Sequence, residues 1–119
     1  MSEATHHVLA DIEAERFRQM SAEGWTTEHD DAHTDGSMAA AAACYANPEP
    51  EILQPGWPIG AKKYPRGWPA SWARSWWKPT DRRRDLVKAA ALIVAEIERL
   101  DRTHPGLPTP SPSMEKEAS

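Results

Sequence analysis

At 119 residues the chain is too short for two hydrophobic cores, and a formal charge of −4 argues against a general binder of nucleic-acid backbones. Hydrophobic residues make up 39%, many of them alanine, so the core is thin and association between copies is the expected remedy. The single cysteine, Cys44, excludes a disulfide framework and a cysteine-rich zinc site, and inside an alanine run it reads as a small buried apolar group. No apolar run approaches the roughly twenty residues that span a bilayer, and residues 1–20 are charged, which together predict a soluble, cytoplasmic protein.

In chain order, residues 1–6 read as frayed. Leu9, Ile12, Phe17 and Met20 recur at near-helical spacing and predict an amphipathic helix from His7 to Met20, with Glu13, Glu15, Arg16 and Arg18 on its remaining faces. An acidic loop follows over 23–36. Ser37 suits the N-cap of a helix over 38–46 that Asn47-Pro48 stops; its five consecutive alanines allow close helix approach and mark it as the central buried helix. Residues 47–67 hold five prolines and three glycines and read as an irregular loop. Pro69 suits the first turn of a short helix that places Trp68, Trp72 and Trp76 on one face. Thr80 or Asp81 caps the last helix, about 81–102, with Leu86, Ala90, Ile93, Ile97 and Leu100 as its core stripe, widened by Val87 and Val94. Residues 103–119, rich in proline and serine, read as a disordered tail. No strand is predicted. The class is all-α: a small bundle of three to four helices in a single domain over 1–102, with a long Pro/Trp-rich loop.

Three groups of residues carry chemistry. The acidic loop packs five carboxylates and two imidazoles, His29 and His33, into fourteen residues. Its Glu28-x-x-Asp31 spacing sets two carboxylates on one side of a helical turn, a way of holding Mg²⁺ or Mn²⁺ through hard oxygen donors. The competing reading is a capping and turn segment, since acids favour a helix N-terminus and Asp35-Gly36 is turn chemistry. Asp85, at the start of the last helix, either completes a three-carboxylate site with Glu28 and Asp31 or pairs within its own helix with Arg82 or Lys88. The third group is Trp76-Trp77-Lys78-Pro79-Thr80-Asp81-Arg82-Arg83-Arg84, where indoles beside Lys78, Arg82 and Arg84 suit a nucleotide base and its phosphates. The competing reading is a tryptophan-rich lid over a poor core; Trp25 and Trp57 fit either.

Ala14-Glu15-Arg16-Phe17-Arg18-Gln19, Glu23-Gly24-Trp25-Thr26, Glu28-His29-Asp30-Asp31 and Asp85-Leu86-Val87-Lys88-Ala89-Ala90-Ala91-Leu92-Ile93 together resemble small proteins of tailed phages and prophages described as MazG-like. The resemblance covers residues 7–102. It implies an all-α NTP pyrophosphohydrolase, dimeric or tetrameric, that holds Mg²⁺ with Glu-x-x-Glu and Glu-x-x-Asp pairs on two helices. Glu28-x-x-Asp31 is similar to the first pair and Asp85 matches the last acid of the second, but Arg82 stands where that pair needs glutamate. The departure implies a changed site, or a protein that binds nucleotides without cleaving them: in a phage-infected host's cytoplasm, an anti-defence sponge for a nucleotide-derived immune signal. The order His6-His7, His29-Asp30, Asp85 also resembles the ligand order of HD-type phosphohydrolases. Nucleotide binding is the first expectation and hydrolysis the second.

Overall fold

The computed structural model describes residues 2–49, 51–53, 58 and 60–103, and within them the protein is mostly helical. Helix α1 (Glu3–Ser21) begins earlier than its apolar spacing suggests, because the Ser2 hydroxyl accepts the Thr5 N–H at 3.1 Å and caps a first turn expected to fray. The acidic loop contains a short helix, α2 (Thr27–Asp31), capped by the Thr26 hydroxyl. Helix α3 (Ser37–Ala46) starts one residue earlier than a serine cap requires: Gly36 is the N-cap, with φ at 79°, a left-handed conformation that glycine adopts at least cost. Helix α4 (Arg82–Thr103) is the longest. Two-residue strands β1 (Glu51–Ile52) and β2 (Tyr64–Pro65) pair antiparallel, where no strand was expected. Trp57 and the tail beyond Thr103 lie outside the described residues, as do positions 50, 54–57 and 59 of the proline-rich loop.

Helix α4 is the element against which α1, α2 and α3 all pack. Its contact with α3 is built mainly from alanines, Ala41 and Ala42 on one side and Ala89 and Ala95 on the other with Leu92 between them, all buried. Alanines at these positions let the two backbones approach closely, as the alanine run predicts. The rest of the core is mostly aromatic, four indoles with Tyr45 and Tyr64, beside Met38 and Cys44. Trp25, Trp68, Trp72 and Trp77 are buried and meet largely edge to face, with centroids 5.3 Å apart for Trp25–Trp72 and 5.7 Å for Trp68–Trp72. The segment that carries them is not the expected helix. Hydrogen bonds from Trp68, Trp72 and Trp76 N–H to the carbonyls three residues earlier bend it into successive turns, ending in the single 3-10 turn Arg74–Trp76.

Helices α1 and α4 are reversed relative to their apolar stripes. On α1 the buried residues are Glu15, Arg16 and Gln19, while Leu9 and Phe17 face outward, Phe17 at 60% exposure. On α4 the stripe residues Leu86, Ile93, Ile97 and Leu100 are exposed, and Asp85, Val87, Lys88, Ala89, Ala91, Leu92, Ala95 and Arg99 are buried. Burial of charge is tolerable because it is paired. Arg16 donates to Asp30 Oδ2 at 2.8 Å and to Glu98 Oε1 at 3.1 Å, so one guanidinium ties α1 to both α2 and α4. Asp30 has almost no exposed surface, and its loss leaves the buried Arg16 with only the half-exposed Glu98 as partner. Asp30→Ala should therefore cost about 3–5 kcal/mol in urea unfolding, whereas replacing its exposed neighbour, Glu28→Ala, should stay within about 0.5 kcal/mol.

Candidate functional site

Glu15, Arg18 and Gln19 lie on one face of the second half of α1, at the spacing that brings side chains together on a helix. Arg84, Lys88 and Leu92 do the same on the first turns of α4. Between these faces the turn after α1 inserts Glu23 and Trp25, α3 contributes Tyr45, and the chain leading into α4 adds Trp76, Lys78 and Thr80. Together they line a cavity of about 290 Å³, at the lower end of the range for small-molecule sites.

The walls carry a dense ionic network. Glu15, fully buried, accepts from Arg18 at 2.8 and 2.9 Å, from Gln19 at 3.2 Å and from Arg84. Glu23 accepts from Arg18 at 3.1 Å and from Lys78 at 3.2 Å. Lys88 donates to the Lys78 carbonyl at 2.7 Å, lies 3.9 Å from Asp85 and sits 5.6 Å from the centre of the Tyr45 ring. The Tyr45 hydroxyl donates to the Trp76 carbonyl and accepts the Lys78 N–H, both at 3.0 Å, which pins the approach to α4 against α3. Four cations (Arg18, Lys78, Arg84, Lys88) thus face two carboxylates, leaving an excess of positive charge in an acidic protein.

The titration of these groups follows from their partners. Burial opposes ionisation of Glu15, but the Arg18 hydrogen bonds and the charges of Arg18 and Arg84 outweigh it and hold the carboxyl below its ordinary value. Glu23 behaves in the same way: burial is opposed and overcome by Arg18 and Lys78. Burial lowers the Lys88 ammonium and pushes the Tyr45 phenol up to about 12.

Four of the six residues expected to bind nucleotide line this cavity: Trp25, Trp76, Lys78 and Arg84. The other two are elsewhere. Trp77 is 1% exposed and packs in the core, 4.7 Å from Tyr45 and 5.5 Å from Trp68. Arg82 points away and donates to the carbonyl of Ala46, a free acceptor at the end of α3. Glu15, Arg18, Gln19, Glu23, Tyr45 and Lys88 were not expected here. The signal for three of them was the spacing of Glu15, Arg18 and Gln19, which puts three hydrogen-bonding side chains on one helical face.

The expected metal ligands do not converge. Asp31 is held by Arg102 at 2.8 Å in the last turn of α4, while Asp85 lies in its first turn. At 1.5 Å per residue, the helix from Asp85 to Arg102 spans about 25 Å, far beyond a shared Mg²⁺ or Mn²⁺. Asp85 instead accepts the Thr80 N–H at 2.8 Å while Asp81 accepts the Arg84 N–H at 2.8 Å, so the two acids cap α4 reciprocally. Glu28 is exposed. His29 and His33 join the aromatic wall, with centroids 4.4 Å apart and His29 stacked parallel to Trp25 at 5.7 Å. Burial, then the neighbouring His29, lowers His33 and favours its neutral ring. His7 lies beside Asp11 at 3.7 Å on the exposed side of α1. Asp35, the closing acid of the loop, accepts from Ser37 and Ser71, which hold its carboxyl down to about 2. Among the described residues no three His, Cys, Asp or Glu side chains gather as a cation site, and no helix is long and apolar enough to cross a membrane.

No family model, curated protein or solved structure matches the chain.

The depressed carboxyls make stability depend on acid pH in a defined direction. Glu15 and Glu23 contribute fully above their ordinary value of 4.5, and the contribution is lost as pH falls through their lower folded-state values. Melting temperature should fall on acidification below pH 4.5. In Glu15→Gln that acid limb should be shallower, and stability at neutral pH lower, because Arg18 and Arg84 lose their shared carboxylate.

Proposed function

We propose that the cavity between α1, α3 and α4 binds a nucleotide or a nucleotide-derived small molecule and holds it without turnover. The observation that carries this reading is the convergence of Arg18, Lys78, Arg84 and Lys88 with the rings of Trp25, Tyr45 and Trp76 around one small cavity. An anionic phosphate suits the excess of cations, and every base offers a π-face to indole. The side chain of Lys78 is more than half exposed, so it can exchange Glu23 for a ligand phosphate at little cost. Released, the Glu23 carboxylate accepts from ribose hydroxyls or base amines. The likeness to MazG-like proteins supports the same ligand class and a role in the cytoplasm. The separation of Glu28, Asp31 and Asp85 favours retention over Mg²⁺- or Mn²⁺-dependent hydrolysis, and with it the sponge for a nucleotide signal.

Calorimetric titration against nucleoside mono-, di- and triphosphates and cyclic nucleotides, with and without Mg²⁺ or Mn²⁺, tests the reading. Stoichiometric binding should appear, weaken with added salt, and yield intact ligand on denaturation. Lys78→Ala and Trp76→Ala should each weaken binding about tenfold, near 1.4 kcal/mol, as expected for one charge-assisted contact or one stacked base. Release of phosphate or pyrophosphate would move the protein into the enzyme class. No binding across the panel would overturn the reading.

A further inference from the structure

Between Ile52 and Thr80 the chain has five cations and no carboxylate, while its other residues hold nine cations and eighteen carboxylates. Lys78 belongs to the cavity already described and is paired with Glu23. The other four, Lys62, Lys63, Arg66 and Arg74, form no ion pair among the described residues, where every remaining lysine and arginine except Arg82 is paired with a carboxylate. Of the acids that bound the stretch, Glu51 stands exposed opposite Pro65 in the β1–β2 pair and Asp81 accepts the Arg84 N–H. Tertiary structure gathers three of the four cations. Lys62 and Lys63 precede β2, Arg74 and Ser75 open the 3-10 turn, and with Tyr64 they line a cavity of about 320 Å³. The Arg74 guanidinium lies 4.5 Å from the centre of the Tyr64 ring, a cation–π contact that places it without cancelling its charge. The Lys62 ammonium donates to the Trp77 carbonyl, which uses one N–H and none of its charge. Two of the three cations are therefore positioned before an anion arrives.

We propose that this cavity is a second ligand site, for a small molecule that carries a phosphate group. It shares no lining residue with the cavity between α1, α3 and α4; the 3-10 turn stands between them, with Arg74 and Ser75 on one side and Trp76 on the other. The side chains around it offer two ammonium groups, a guanidinium and hydroxyls, and no carboxylate. A phosphate ester carries about two negative charges and three strong acceptor oxygens near neutral pH, so it meets several of these donors at once. A carboxylate brings one charge and two oxygens. The field favours a small ligand over a nucleic acid. Outside the stretch, carboxylates outnumber cations two to one. A polyanion extending past the patch by more than a Debye length, about 8 Å in physiological salt, therefore meets repulsion where a compact anion does not.

Proton–nitrogen NMR titration of the full chain at low ionic strength, with inorganic phosphate and separately with glycerol phosphate, reads the site directly. The amide signals of Lys62, Lys63 and Ser75 should shift saturably with both compounds, and about tenfold more weakly with acetate. Tighter binding of glycerol phosphate identifies a phosphate ester as the occupant, and tighter binding of inorganic phosphate identifies the free ion. Lys63→Ala and Arg74→Ala should each weaken these shifts about tenfold, the weight of one charge-assisted hydrogen bond. Both side chains are exposed, so far-UV circular dichroism should be unchanged. Arg74→Lys keeps the charge but loses the fork, and should fall between Arg74→Ala and the unaltered chain. Shifts confined to Lys78, Arg84 and their neighbours, or undiminished binding in a Lys63→Ala/Arg74→Ala double variant, would overturn the second site. Acetate bound as tightly as phosphate would overturn the phosphate class, and a short single-stranded oligonucleotide bound more tightly than either phosphate would overturn the small ligand.

Discussion

A carboxylate with no exposed side-chain surface, Glu15, organises this protein. It accepts from Arg18 and Gln19 on its own helix and from Arg84 on the first turn of α4. A buried anion is costly unless several donors surround it, so α1 can dock only where Arg84 is within reach. The next residue of α1, Arg16, imposes the same condition through Asp30 and Glu98. Two ionic contacts of this kind leave α1 little freedom to rotate. They turn its charged face toward α4 and its apolar face away.

That orientation has consequences on both sides of the helix. Inward, it surrounds a small cavity with cations that carboxylates already hold in place. Arg18 spans Glu15 and Glu23, and Lys78 rests on Glu23, so the groups that meet an anion are ordered before it arrives. The indoles of Trp25 and Trp76 border the same space, and Tyr45 hydrogen-bonds the chain entering α4. Outward, it leaves a surface of leucine, isoleucine and phenylalanine that a thin single-chain core does not cover. The polar interior and the apolar exterior are two results of one docking geometry.

The tryptophans divide along the same line. Trp68, Trp72 and Trp77 take the place of the aliphatic core that an alanine-rich chain lacks, while Trp25 and Trp76 stand where the core meets the cavity. A reading of the Trp-Lys-Arg stretch as one patch combined residues with different tasks. Trp77 and Arg82 lie within two residues of cavity residues in sequence, yet one is sealed in the core and the other closes the end of α3.

Much of the helical plan was legible because its determinants are local. The Asn47-Pro48 stop, the Asp81 cap and the alanine run act within a few residues of the elements they shape, and α3 and α4 lie close to where those signals put them. The short β1–β2 pair was invisible, since two-residue strands carry no periodicity. The facing of α1 and α4 was also beyond reach, because it depends on the partner. Helix α4 has an alanine-rich face and a face of large residues; large residues dominate any count of hydrophobicity, but the face with Ala89 and Ala95 on either side of Leu92 is the one that fits against the alanines of α3. The expected meeting of Glu28, Asp31 and Asp85 failed for a related reason. Their spacing along the chain was suggestive, but Arg102 and the Thr80 turn draw Asp31 and Asp85 to opposite ends of one rigid helix. The sequence by itself determined the number and place of the main helices, the thin core and the richness in ionic and indole groups, all of which follow from local composition. Which charges meet, which face is buried and where a cavity opens were decided only by tertiary structure, because each depends on groups brought together from distant parts of the chain.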